Sequence, residues 1–426
     1  MRTLFFLLCL TLTSWLNAQT YTVVADSLRL PNGIEFDASG RLWIVETGYG
    51  FDEGTVSVQG PNGALLPVVV GLPSLFDTTS QENVGPWHTM VLPNNQLGVV
   101  SPLNGGVLLY DLTGFIPGLS QPLSASQAID TVLITDFVYQ NQPPGMGDSD
   151  PYTAVVDAAG NWYVVDAGFN GIIKVDAAGQ RSVFCKFDPI QNPLPVGPPF
   201  IDAVPTRIIS KPGGGFYVCA LSGFPFPQGA ASVYEVSAGG VVSTYAGGFS
   251  MLTDMSRDAV SGDLYLLEFG VFDLNIFNIA PNSAKVWRLK TDGSRQLLGE
   301  NLNTAPGLAV DAQGNIYVSE LATGRVLRFT AGASGAAEAH GDVSDMQLSP
   351  NPAADHVLVQ YTLRARGQVN IRVLDATGKQ VFTRDQGTQE TGQQSFDWQP
   401  QHLSTGVYWV DIRTENGVQT QKLILR

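Results

Sequence analysis

The phrase GIEFDASGRLWIVE, residues 33–46, recurs along the chain in recognisable variants. They are TMVLPNNQLGVVS, TAVVDAAGNWYVVD, RIISKPGGGFYVCA, DMSRDAVSGDLYLLE and GLAVDAQGNIYVSE, centred with the first on Trp43, Gly98, Tyr163, Tyr217, Tyr265 and Tyr317, about 55 residues apart. Each has a few apolar residues, often an Asp, a short Gly-containing turn, then an aromatic, Val and usually an acid. Alternation on both sides of a tight turn predicts two antiparallel strands. The Asp carboxylate holds the turn amides and Gly takes the left-handed position. A second strand pair follows, as in GIIKVDAAGQRSVFCKF. Four strands per unit at this period predict the blades of a β-propeller, six in all; a β-helix would need shorter, more uniform repeats.

The sixth unit stops at GRVLRFTAG, after its third strand, whereas Tyr21 to Leu28 (YTVVADSL) has no partner of its own. Placing residues 21–28 as the outer strand of blade six closes the ring and removes an exposed edge. The propeller is thus expected over 19–332.

Residues 1–18 have one Arg before an apolar run of signal-peptide length, and Ala18 offers a small residue for cleavage. Leu7 and Leu8 precede Cys9 where a lipoprotein needs small residues, so a cleaved leader without lipid anchor is expected. No later segment is apolar for long enough to cross a membrane as a helix. The remaining cysteines, Cys185 and Cys219, could form one disulfide outside the cytoplasm, although two buried strand thiols are the favoured reading.

Residues 333–344 are a small-residue linker. Alternating segments split by Asn-Pro, Thr-Gly-Lys and Asn-Gly turns then predict a small Ig-like β-sandwich over 345–426. Its eight basic and eight acidic residues cancel, and Arg2 lies in the leader, so residues 19–344 carry −16 against −15 for the whole chain. Such a field disfavours nucleic acid and anionic membranes and suits cations or cationic partners; it also serves solubility.

Two resemblances add to this reading. VDAGFNGIIKVDAAG and LSGFPFPQGAASVYEV resemble the propeller family named after the scytonemin-cluster accessory proteins ScyD and ScyE. FPFPxGAAxVY is the specific element; the Asp-turn-aromatic phrase is shared with many NHL-like propellers. The resemblance implies a secreted six-bladed propeller and no established reaction. LSPNPAAD, VLDATGKQV, GVYWVDI and the terminal KLILR resemble, in order, the type A sorting domain of the type IX secretion system of Bacteroidetes. That implies export through this machinery, engaged by residues 345–426, followed by release or surface attachment.

In a propeller the innermost strands line a central channel. The first strands begin, and the second strands end, on one face, termed the top. The first-strand starts bring Asn32, His88, Arg207 and Asp254 there as candidate ligand-binding residues. Long loops on that face, including Phe115 to Asp150, supply Phe224, Phe226, Phe272 and Phe277, which either form an apolar rim or lid or pack on one another. The second-strand ends Glu46, Asp166, Glu268 and Glu320 are candidate calcium ligands, with Asp254 as an extra, since calcium takes six to eight oxygens and suits carboxylates. Six-bladed lactonases and esterases use a channel metal, but mix carboxylates with Asn ligands that have no evident counterpart here. The competing reading is a ring of acids paired with Arg207 or solvated.

His88 is the one His of the propeller; His340 lies in the linker, and His356 and His402 in the sorting domain. A Ser-His-Asp triad would need His88, but no Gly-x-Ser-x-Gly elbow accompanies it, so it is a weak catalytic candidate. No His/Cys cluster suits zinc and no Gly-rich phosphate loop opens a helix. The functional expectation is a secreted binding or scaffold module that engages a small molecule, glycan or protein through its top face. The alternative is a calcium-dependent lactonase- or esterase-like hydrolase.

Overall fold

The computed structural model describes residues 21–78, 82–143, 147–330, 343–363, 366–375, 380–401, 403–414 and 417–426. The leader, His340 and His402 lie outside these residues, as does almost all of the linker. The chain divides into two compact units, one ending at Thr330 and one containing Ala331–Arg426.

Among the described residues the first unit has six main sheets in a closed ring, antiparallel apart from one edge strand, with three two-stranded hairpins in its loops. Sheet one is Pro31–Phe36, Leu42–Glu46, Gly54–Gln59 and Leu65–Leu72, extended at its outer edge by Leu123–Ser124. Sheet two is His88–Val91, Gln96–Ser101, Gly106–Asp111 and Asp130–Leu133. Sheets three and four begin with Pro151–Val156 and Pro205–Ser210, and sheet five with Leu252–Arg257. Sheet six is Leu308–Val310, Asn315–Glu320 and Arg325–Thr330, with Thr22–Ala25 as its outer strand. Each innermost strand contacts the innermost strands of both neighbouring sheets, which makes the unit a β-propeller.

The repeated Asp builds the turns. Asp37 Oδ1 accepts the Ser39 and Arg41 amides at 2.9 and 3.0 Å, and Gly40 takes φ 79°. Asp157, Asp258 and Asp311 hold the equivalent turns of other sheets. Burial alone would raise the Asp37 carboxyl, but hydrogen bonds from Ser39, Trp43 and Arg41 bring it down to about 2.

The core lies between neighbouring sheets. Trp43, Val56 and Val69 of sheet one pack on Leu97, Val99 and Tyr110 of sheet two, and the other joints described are equally apolar. Each such side chain stabilises by roughly 1.5–3 kcal/mol, so this packing dominates. Hydroxyls then fix one sheet against the next. Thr47 Oγ1 donates to Pro86 O (3.2 Å), Thr206 Oγ1 to Leu252 O (2.9 Å), Thr253 Oγ1 to Ala305 O (3.1 Å) and Ser319 Oγ to Asn32 O (2.6 Å). Thr153 Oγ1 donates to Thr206 O in the same way. Cys185 and Cys219 are free, buried thiols.

One expectation is corrected. The long approach from Phe115 to Asp150 does not lie wholly on the top face. Gly106–Asp111 runs away from that face, so the following segment reaches the outer edge of sheet one, where Leu123 pairs with Val69. Only the part from the helix Thr135–Gln140 onward returns to the top.

The second unit is a sandwich. Val343–Ser349, Val357–Leu363 and Gly392–Trp398 form one sheet; Gln380–Gln389, Gly367–Asp375, Gly406–Thr414 and Gly417–Leu425 form the other. Val359, Tyr361, Ile371, Val373, Trp398, Val410 and Ile412 fill the space between them.

Candidate functional site

The inner strands carry a buried charged group across the channel. Arg207 reaches from sheet four so that its Nη1 lies 2.6 Å from His88 Nε2 of sheet two. Its Nη2 is 3.5 Å from Glu35 Oε2 of sheet one, and its Nε 3.3 Å from Asp254 Oδ1 of sheet five. The Nε–H is in ion-pair range of Asp254 without hydrogen-bond alignment. A guanidinium only donates, so His88 Nε2 accepts and the ring proton sits on Nδ1, which donates to Thr89 O at 2.7 Å. Burial and the Arg207 charge hold His88 well below its ordinary value. The ring is therefore neutral with both nitrogens engaged, and no described Ser or Cys hydrogen-bonds to it.

Asp254 accepts the amides of Met255 and Leu308, each at 2.7 Å. Burial raises its carboxyl to about 6 despite Arg207. Burial also raises Glu35, opposed by Arg207 and reinforced by Asp254. Two carboxylates thus share one cation. Gly33 makes room for this group, since a Cβ there would fall 2.6 Å from His88 Cδ2. Asn32 instead serves the joint between sheets six and one through its carbonyl, which accepts from Ser319, while its side-chain amide donates to Thr47 at the joint between sheets one and two. Glu35 was not among the sequence candidates. Its signal is an acid at an inner-strand position where most other copies carry an apolar residue.

The expected calcium ligands are not brought together. Glu46 accepts the Arg29 amide (2.6 Å), Glu268 that of Ser250 (2.8 Å), and Glu320 the Asn303 amide (2.8 Å) and Thr323 hydroxyl (2.7 Å). Asp166 accepts Ser149 Oγ and the amides of Asp150 and Phe169. Each acid ties the end of a second strand to loop backbone beside its own sheet. The physical reason is position: paired strands sit ~4.8 Å apart, so a second strand stands behind the one lining the channel. Among the described residues no group of three His, Cys, Asp or Glu could hold a metal ion.

The four phenylalanines do meet. Phe224 lies within 6.0 Å, ring centre to ring centre, of Phe226, Phe272 and Phe277, and Phe272 contacts both Phe226 and Phe277. The rings pack on one another while Phe277 stays 67% exposed. Phe226 and Phe277 both have φ near +50°, a backbone state that bulky residues avoid and that the packing sustains.

A cleft of about 830 Å³ opens at the top between sheets two and three. Trp87 and Tyr139 line it with Asp77, Glu82, Asp136, Asp148 and Asp150, and among the described residues no Lys, Arg or His lines it. The Trp87 ring stacks on Tyr152 while its Nε1–H donates to Asp150 Oδ1 at 2.8 Å. Burial pushes Asp150 up to about 7; the Trp87 bond opposes this, and the charges of Asp166, Asp148 and Glu82 add to it. Burial, then Asp77, raises Glu82. Thr135 Oγ1, Ser149 Oγ and Asp166 Oδ2 form a hydrogen-bonded chain that fixes one wall. Sequence reading missed this cleft because its acids come from two separate connections, the hairpin between sheets one and two and the segment between sheets two and three.

Fold and tail together define an exported β-propeller protein. Residues 347–426 match the family of secretion system C-terminal sorting domains, which places the protein at the cell surface or outside the cell. No helix of the described residues is long and apolar enough to cross a membrane. No curated protein matches the chain. Among solved structures it is similar to a streptogramin B lyase (14% identity, 72% of this chain and 96% of the other, TM-score 0.39). It is also similar to PorZ, a surface component of the type IX secretion system of Porphyromonas gingivalis (14%, 95% and 61%, TM-score 0.38). A third is a gluconolactonase from Xanthomonas campestris (12%, 73% and 89%, TM-score 0.47). At such identities and scores these likenesses carry nothing about activity.

Proposed function

We propose that this protein is an exported binding module that takes its ligand on the top face of the propeller. The observation that supports this is a preformed cleft of about 830 Å³ with aromatic and acidic walls. Concave sites with a few fixed polar groups are the usual form of a recognition site. The same face carries exposed Phe51, Phe76 and Phe277. The finer family reading, a ScyD/ScyE-type propeller, rests on the FPFPxGAAxVY element, whose loop supplies Phe224 and Phe226. Delivery through the type IX machinery is the role we assign to the tail. A calcium-dependent hydrolase would need oxygen ligands converging beside a base, whereas the candidate acids face backbone amides and His88 is spent on Arg207. Binding is therefore the reading adopted.

The test is a screen of the full chain on glycan and peptide arrays, with Phe51→Ser and Phe277→Ser on the top face. Val260→Ser is the control, in an opposite-face turn where Val260 is 94% exposed. Ligands kept by the control and lost by the top-face variants support the reading. Ligands lost only in the control, or none at all, overturn it.

A further inference from the structure

The geometry points to a basic polypeptide with apolar neighbours as the partner of the top face, lying across sheets one to three. This rests on the binding role proposed above.

Two independent features adjoin there. The first is an apolar ridge. The loop after Glu46 presents Tyr49 and Phe51, 57% and 97% exposed. The hairpin Leu75–Asp77 with Glu82–Val84 presents Leu75 and Phe76, 41% and 47% exposed. Loop and hairpin touch: a Cβ on Gly50 would lie 3.4 Å from the Phe76 amide nitrogen, and the Asp52 amide donates to Ser74 O. The second feature is the acidic cleft, which begins on the same hairpin, since Leu75, Asp77 and Glu82 line it. Ridge and cleft are therefore one continuous surface.

The chemistry selects the occupant. Five carboxylates with no basic residue among the described lining disfavour anionic glycans, nucleic acid and acidic peptides. A Lys or Arg side chain entering the cleft would offset the negative charges of Asp148 and Glu82 that bear on Asp150. A small free amine could do that too, yet it would leave the ridge bare. Aromatic side chains exposed beside a charged pocket are the composition of an interface centre, where such residues carry most of the binding energy. A polypeptide supplies both contacts at once, a cation in the cleft and apolar side chains on Phe51 and Phe76.

The experiment selects a random peptide library displayed on phage against the immobilised full chain. Affinities of enriched peptides are then measured by fluorescence anisotropy at about 50 and about 500 mM salt. The expected peptides combine Lys or Arg with aromatic or aliphatic residues. Their affinity is expected to fall at least about tenfold at the higher salt, where charges are screened within a few ångströms. Asp136→Asn with Asp148→Asn, and Phe51→Ser separately, are each expected to weaken binding by about tenfold, and Val260→Ser to leave it unchanged. All are exposed positions, and unchanged melting temperatures confirm folding. Enrichment of acidic or uncharged peptides on the top face, or of none while a glycan binds there, overturns the inference and leaves the binding role standing. If no ligand of any class uses this face, both fall.

Discussion

Trp87 and Asp150 join sheets two and three across the cleft by a single indole-to-carboxylate hydrogen bond of 2.8 Å. Each of the other joints also carries a hydroxyl that donates to a backbone carbonyl, a contact that does not titrate. Here the acceptor is an acid that burial pushes up to about 7.

A pH dependence follows from that acid. An unfolded Asp titrates near 4, so the native state binds this proton more tightly. The stability it adds is present below about pH 4 and is lost as pH rises through about 7. Asp254, at about 6, acts with the same sign. Thermal melts are expected to show a falling midpoint from pH 5 to pH 8. Asp150→Asn should flatten the upper part of that slope; an unaltered slope would show that this carboxyl titrates normally.

Turn aspartates give the opposite sign at lower pH. Asp37 titrates at about 2, below its unfolded value, so its stabilisation is present above about pH 4 and lost as pH falls toward 2. Asp37→Ala is expected to cost about 1–3 kcal/mol at neutral pH, since buried donors lose their acceptor. Urea titrations at pH 7 and pH 3 check both statements, because the cost of the substitution should shrink at the lower pH.

Arg207 ties sheets one, two, four and five. Arg207→Met leaves the buried Asp254 and the partly buried Glu35 without their cation and is expected to cost about 3 kcal/mol. Adding Glu35→Gln and Asp254→Asn should recover part of that loss. Denaturant midpoints of the single and triple variants measure this; no recovery would mean that packing, not charge, is what Arg207 supplies.

Glu320 is expected to act as a strand-end acceptor. Glu320→Ala removes the partner of the Asn303 amide and the Thr323 hydroxyl and should cost about 1.5–3 kcal/mol. Calorimetry with added calcium, run on wild type and variant, separates this role from metal binding. A calcium heat present in the wild type and absent in the variant would restore the metal reading.

Phe277 should be dispensable for folding. Its ring is mostly exposed, so Phe277→Ser is expected to change stability by less than about 0.5 kcal/mol. A large fall in melting temperature would mean that the aromatic cluster is a structural cap and not a recognition element.

The architecture was legible because it rests on local signals. Asp37, Gly40 and Trp43 specify a turn and two strands within ten residues, and this unit recurs along the chain. The site was legible only in part. His88, Arg207 and Asp254 were marked by lying at equivalent strand starts, and they meet. Glu46, Asp166, Glu268 and Glu320 were equivalent in the same way, yet they do not, because a second strand stands one strand spacing farther from the axis.

The sequence by itself determined the repeat, the closed propeller and the sorting tail, since each follows from periodicity, turn chemistry or a contiguous motif. The tertiary structure alone decided which side chains share a site. Glu35 and Arg207 are more than a hundred and seventy residues apart, and the acids of the cleft come from loops of different sheets. Ring closure sets those distances, and no local pattern in the chain encodes them.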